Sequence, residues 1–263
     1  MTSGFKVQAI PNSRIATFDV FSIGLKKHHV AALLEFDVTL AREKMRVQRR
    51  KGQKVSLNAW LIKCISEAVV RHPEAAAYKI SKHKLAIFND VNVSFMVEKE
   101  KQEQKMPLPL LLEKANHKSV SELTLEIDDA KTESSGEDTI VLNKETSWYE
   151  RLYYALPGFC RIIIWRIMLG RPGFAYRKMG NIVVTSLGMI GNLKGWFIHR
   201  SIHPLSFGIG AIVKKPVAVD NEVKVREILN MTVLIDHDVL DGAPMVRFIK
   251  YLTRFIEEGQ LLN

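Results

Sequence analysis

The chain has 263 residues, 47% of them hydrophobic and 25% charged, with a formal net charge of +10. This composition supports a substantial core and excludes a disordered chain, and the length fits one large α/β domain. Two cysteines, Cys64 and Cys160, with no CxxC pair, exclude a disulfide framework and a zinc knuckle and point to a reducing setting, expected to be cytoplasmic.

The first residues, MTSGFKVQAIPNSR, contain no apolar run of signal-peptide length. Nowhere does the chain reach the ~18 uninterrupted apolar residues of a spanning helix. The best candidate, Leu152 to Leu169, is broken by Pro157, Gly158, Arg161 and Arg166. The basic residues are spread along the chain without a helix-turn-helix or zinc-finger pattern, so no nucleic-acid partner is expected. A basic surface equally suits an anionic small molecule or an acidic partner.

In chain order, strand-like segments occupy the first fifty residues, chiefly Val30 to Val38. A charged helix follows from about Leu40 to Lys51. Ser56 is placed to cap the next helix, Leu57 to His72, whose apolar residues recur at helical spacing and which Pro73 stops. Strands are expected at about Lys84 to Phe88 and Val91 to Val97, then a polar break (EKEKQEQK) before the apolar MPLPLLLE. Ser119 and Glu122 form a possible capping box for a helix through about Lys131, and TESSGEDT is a surface loop by composition. Trp148 to Lys178, rich in aromatics and arginines, reads as one or two amphipathic helices broken at Pro157-Gly158. Strands are expected at Asn181 to Ser186, Leu205 to Val213 and Arg226 to Ile235. The closing helix, Ala243 to Glu258, turns Met245, Phe248, Ile249, Leu252, Phe255 and Ile256 to one face. No repeat or linker divides residues 1–263.

Thr232 to Met245, TVLIDHDVLDGAPM, carries the chemistry. A buried-type strand runs into Asp236-His237-Asp238, and Asp241-Gly242 follows before the last helix. A histidine at a strand end, just before a turn, is held by rigid backbone yet faces open space, where a general base is useful. An imidazole in water titrates near ~6.5 and so accepts protons at neutral pH. On pattern alone, a histidine between two aspartates also suits a solvated turn.

DHDVLDG resembles the His-x-x-x-Asp-Gly signature of the chloramphenicol acetyltransferase superfamily, and more closely the Asp-His-Arg-x-x-Asp-Gly form of the dihydrolipoyl acyltransferases of 2-oxoacid dehydrogenase complexes. The stretch GNIVVTSLGMIGNLKGWFIHRSIHPLSFGIGAI is similar to that family's strand, its Leu-Gly-Met-x-Gly turn and its later Gly-rich strand. VSLNAWLIKCISEAVVRHPEAAAY and EKANHKSVSELTLEI resemble further family segments. The resemblance covers most of the chain, least at Met1 to Pro11 and Glu137 to Lys178.

The resemblance implies a chloramphenicol acetyltransferase-like layered α/β fold, a mixed sheet flanked by helices. It implies an acyltransferase with coenzyme A as co-substrate, in which His237 takes a proton from a thiol or hydroxyl that attacks an acyl thioester. The family's oxyanion serine maps onto Thr185, with Ser186 beside it. Neighbours on a strand face opposite sides, so only one of the two can face the base, and Thr185 is preferred. Asp241 is implied to hold the histidine loop through an ion pair. Asp238 stands where the family carries arginine. Its charge beside His237 favours the protonated imidazole and puts the family's usual substrate in question.

A homotrimer with active sites between subunits is likewise implied. No Asp-Lys-Ala lipoylation hairpin is present, so the acceptor is a small molecule or a lipoyl group on another protein. No metal is expected. His28-His29 and His199/His203 lack accompanying cysteines or carboxylates and read as surface or packing residues. Residues 148–178 read as a helical insertion, for which three roles are open: an extra packing layer, the lining of a channel for a bulky group, or a peripheral membrane contact. A non-catalytic oligomeric binding protein that kept the fold is the alternative in a different class.

Overall fold

The computed structural model describes residues 4, 6–7, 13–101, 104–132, 148–187 and 194–262. A six-stranded mixed sheet forms the centre, in the order β1-β8-β7-β6-β4-β5. Its strands are β1 (His29–Asp37), β4 (Val93–Lys101), β5 (Gln104–Leu112), β6 (Ile182–Ser186), β7 (Leu205–Val219) and β8 (Glu222–Asp236). β6 runs parallel to both β4 and β7, and the other pairs are antiparallel. A separate two-stranded ribbon joins β2 (Tyr78–Ser81) and β3 (Lys84–Ala86). This is the layered α/β architecture expected from the sequence.

One sheet face buries the alternating residues Val93, Phe95, Ile182, Val184, Phe207, Met231 and Val233 against α3 (Leu57–Arg71), α4 (Val120–Thr132) and α8 (Gly242–Glu257). α3 lies deepest and is buried around most of its circumference. Its Trp60 indole donates to the Gln260 carbonyl at 2.8 Å, which satisfies the one polar atom of that ring. Ser56 takes the N-cap position of α3 as expected, but its side chain makes no capping bond, and its N–H donates to the Thr124 hydroxyl at 3.2 Å. The capping box of α4 is complete. The Ser119 N–H donates to Glu122 at 2.7 Å and the Glu122 N–H to the Ser119 hydroxyl at 3.2 Å. The Ser119 N–H, and after it the Ser119 hydroxyl, holds the Glu122 carboxyl below its usual range.

Four elements, Ser13–Gly24, β5, β7 and β8, differ from their sequence readings. Ser13–Gly24 is a helix, α1, despite its β-branched and aromatic content. MPLPLLLE belongs to β5, an edge strand, and an edge is where Pro107 and Pro109 can point their missing donors away from the ladder. β7 and β8 run on to a tight turn at Asp220 and Asn221 (φ 53° and 63°). That end of the hairpin projects beyond the core and exposes Val223 and Val225, so its mixed charged and apolar residues carry no strand pattern of their own. Trp148 to Lys178, expected as one or two helices, forms three, α5 (Trp148–Ala155), α6 (Gly158–Leu169) and α7 (Pro172–Met179), broken at Pro157-Gly158 as expected and again at Gly170-Arg171. α2 (Thr39–Arg50) and α8 lie within a residue or so of their expected bounds. The segment TESSGEDT lies beyond the described residues after Thr132.

Candidate active site

β8 ends at Asp236, one residue before His237. Met231, Val233, Leu234 and Ile235 bury this strand end, and the turn that follows is tied on both sides. The His237 N–H donates to the His28 carbonyl at 2.9 Å and the Asp236 N–H to the Pro204 carbonyl at 2.9 Å. Val239 and Leu240 N–H groups fold back onto the Asp236 carbonyl at 2.9 and 3.1 Å, and the Leu240 side chain anchors the turn in the core. The His237 side chain is exposed, on a backbone with little freedom.

The carboxylate that organises this turn is Asp236, only 1% exposed. It accepts from Lys27 Nζ at 2.7 Å and from the Asp238 N–H at 3.2 Å. Asp241 sits in extended backbone at the N-terminus of α8, exposed, without a side-chain cap bond. It makes no ion pair among the described residues. Within this chain the ion pair that ties the turn is Asp236–Lys27. An aspartate at the last position of an apolar strand signals a buried partner, but nothing local to Lys27 identifies that partner.

The Asp238 side chain is engaged by two other segments. Its carboxylate bridges Lys79 at 3.0 Å and His28 Nδ1 at 3.2 Å, and the Lys79 bond chiefly holds it below the usual carboxylate range. Gly242 follows with φ +40°, in the left-handed region that favours glycine.

Thr185 and Ser186 lie at the end of β6, both half-buried and on opposite faces. Ser186 has the phase of the core residues Ile182 and Val184. Thr185 is in register with Gly208 of β7, which is in register with Thr232 of β8. Thr232 precedes His237 by five residues. At ~3.3 Å per residue, with two strand spacings of ~4.8 Å between, Thr185 and His237 stand roughly 15–20 Å apart in one chain. The fold does not bring the two together within a subunit.

The sheet face that carries Thr185 is unusually polar. Phe197 and His199 lie over Gly208, where a Cβ would come within 3.0 Å of His199 Nδ1. His199 Nε2 is bonded to the Ser206 hydroxyl. His199 Nδ1, Thr232 Oγ1 and Asn230 Oδ1 are buried without hydrogen-bond partners among the described residues. Burial pushes the His199 imidazole down to about 4, so it is neutral and its free nitrogen can accept or donate. His203 is buried, bonded to the Met179 carbonyl at 2.9 Å and pushed to about 4 by burial. His29 is bonded to the His203 carbonyl, and burial lowers its pKa. No group of three or more His, Cys, Asp or Glu that could hold a metal occurs among the described residues. Surface clefts of about 340 Å³ along α8 and 420 Å³ beside Arg49 and Asp128 are lined by neither His237 nor Thr185.

The Asp236–Lys27 pair gives an ordered prediction. Lys27→Met strands a buried carboxylate, whereas Asp236→Asn leaves a half-exposed lysine free to reach water. Urea unfolding is expected to show a larger loss for Lys27→Met, about 3 kcal/mol, than for Asp236→Asn, about 1 kcal/mol. Equal losses, or the reverse order, would show that this pair does not hold the turn.

The family model for 2-oxoacid dehydrogenases acyltransferase (catalytic domain) matches residues 24–138 and 177–263. A dihydrolipoyllysine-residue acetyltransferase component of pyruvate dehydrogenase complex from Rickettsia prowazekii is 23% identical over 212 residues, which is 81% of this chain. The chain spans 43% of that relative's length. A solved structure of a probable dihydrolipoamide acetyltransferase from Listeria monocytogenes superposes with TM-score 0.69 at 19% identity, covering 97% of this chain and 95% of that one. The truncated catalytic core of a 2-oxoacid dehydrogenase multienzyme complex from Thermoplasma acidophilum superposes with TM-score 0.66 at 17% identity, covering 97% and 100%. These likenesses establish the layered fold.

Proposed function

Because the chain belongs to the 2-oxoacid dehydrogenase acyltransferase family by its catalytic domain, we propose that it moves an acyl group between a coenzyme A thioester and a thiol or hydroxyl acceptor, with His237 as general base. The exposed imidazole on a turn tied to β1, to Pro204 and to the buried Asp236–Lys27 pair carries this reading.

A ring nitrogen of His237 takes the acceptor proton. The acceptor's sulfur or oxygen bonds to the thioester carbonyl carbon, giving a tetrahedral oxyanion. The Thr185 hydroxyl donates to that oxyanion, and Ser186 is the second candidate for this donor. The C–S bond then breaks, and the departing coenzyme A thiolate recovers the proton from His237. Asp241, at the N-terminus of α8, moves no proton in this scheme.

Since Thr185 and His237 are roughly 15–20 Å apart in one chain, the reaction needs them from two subunits, as in a homotrimer with sites at its interfaces. Residues 148–178, of which 148–176 lie outside the matched segments, are a helical insertion into a single catalytic domain. A lipoyl group carried by another protein is one acceptor that this chemistry admits, and a small hydroxylated compound is the other. No step calls for a metal.

The test is release of coenzyme A from a panel of acyl-coenzyme A donors, with dihydrolipoamide and hydroxylated compounds as acceptors. Turnover with dihydrolipoamide selects thiol chemistry, and turnover with hydroxyl acceptors alone selects O-acylation. A folded protein that binds coenzyme A but turns over no pair supports the binding-protein reading instead, to which the Thr185 and Asp238 departures lend weight.

A further inference from the structure

Negative charge is missing from one long stretch of this chain, which leaves the evenly spread positive charge there unopposed. Residues 151–219 hold ten of the 38 lysines and arginines and none of the 28 aspartates and glutamates. The rest of the sequence therefore carries 28 charges of each sign and is neutral. The same stretch contains α6, an apolar helix with no buried residue.

One side of α6 is fixed inward. Asp19 of α1, 6% exposed, accepts from Arg161 Nε at 2.7 Å and from the Tyr153 hydroxyl at 2.5 Å. The same hydroxyl accepts from the Trp165 indole at 2.9 Å. With Arg161 and Trp165 turned in, helical spacing places Phe159, Ile163 and Ile167 on the opposite side, and they are 68%, 48% and 53% exposed. α1 repeats the arrangement: Asp19 points in, and Phe18, Phe21 and Leu25 are 45%, 44% and 63% exposed. Arg166 is exposed on the outward side of α6, Arg171 is exposed just past its end, and Arg14 lies 5.7 Å over the Phe18 ring.

Large apolar side chains held outward by a buried ion pair, with arginines among them and no carboxylate in the same stretch of chain, match an anionic lipid surface. Arginine can lay its stem on apolar surface while its head reaches phosphate. A 12-residue helix of about 18 Å can lie in the interface plane, and no helix among the described residues is long and apolar enough to cross a membrane.

We propose that the outward faces of α1 and α6 dock this protein on an anionic membrane surface, with Phe159, Ile163 and Ile167 among the acyl chains and Arg166 and Arg171 at headgroup phosphates. The docking does not rest on the acyltransferase reading. It does hold the catalytic turn close, because three residues beyond α1 Lys27 pairs with Asp236 and the next carbonyl, that of His28, holds the His237 N–H.

The test is co-sedimentation of the full chain with vesicles of phosphatidylcholine alone or with about 30 mole percent phosphatidylglycerol. Wild type is expected to partition onto the anionic vesicles about tenfold or more above the neutral ones, less so at high salt. Ile163→Asp/Ile167→Asp should lower that partition about tenfold without changing the thermal melt or the mass by light scattering. Arg166→Glu/Arg171→Glu should remove the anionic preference. Absence of anionic preference in wild type overturns the proposal, as does partition unchanged in both variants. An oligomer that dissociates in the Ile163→Asp/Ile167→Asp variant also overturns it, by showing that a second copy covers this face.

Discussion

Replacing His237 by alanine is expected to lower coenzyme A release by about a thousand-fold with both KM values little changed, and to leave stability within about 0.5 kcal/mol of wild type. The side chain is exposed, so its removal opens no cavity. The turn is held by backbone bonds and by Asp236, none of which needs the imidazole. A general base acts mainly in the transition state, so its loss falls on kcat rather than on substrate binding. Steady-state kinetics with urea unfolding on the same preparations checks the split. A loss under tenfold would mean that proton transfer is made by another group, for which the half-buried His199 over the Thr185 face is a candidate. A large loss accompanied by unfolding would make His237 a structural residue.

The parts legible in the sequence were those set by local pattern. The helical spacing of Trp60 to Val69, the reciprocal Ser119–Glu122 cap and the apolar stripe of α8 each lie within one element and depend on few partners. Placing His237 at a strand end followed from the apolar run before it and the glycine after it. The supports of that turn were not legible, because they come from far away in sequence: Lys27 lies 209 residues from Asp236, and Lys79 and His28 meet Asp238 from two other segments. Tertiary context also overrode propensity in α1, whose Asp19 is neutralised by Arg161, 142 residues later. The β7–β8 strands are legible at their inner ends, but their extension past Val213 and before Arg226 is not, for the opposite reason. The outer end has few core neighbours, so its register is set by the ladder and the turn at Asp220-Asn221 rather than by hydrophobic alternation.

The separation of Thr185 from His237 leads to the second large effect. Thr185→Val keeps the side-chain volume and removes the hydroxyl, and it is expected to lower kcat by about 10²–10³-fold, while Thr185→Ser should retain activity within about tenfold. Ser186→Ala, on the opposite face of β6, should cost less than Thr185→Val; the reverse order would assign the oxyanion donor to Ser186. If each site takes its base from one subunit and its hydroxyl from a neighbour, the two inactive variants must rescue each other. In an equal mixture of His237→Ala and Thr185→Val chains, about one site in four combines an intact histidine with an intact threonine. Co-assembled chains should therefore regain about a quarter of wild-type turnover, while each variant alone stays near its own residual rate. This readout is blind to any general loss of stability, since a misfolded chain rescues nothing. A mixture no more active than the sum of its parts would place both groups in one chain, which would require β6 and the β8 turn to approach by more than 10 Å, or would give the oxyanion to a different donor beside His237.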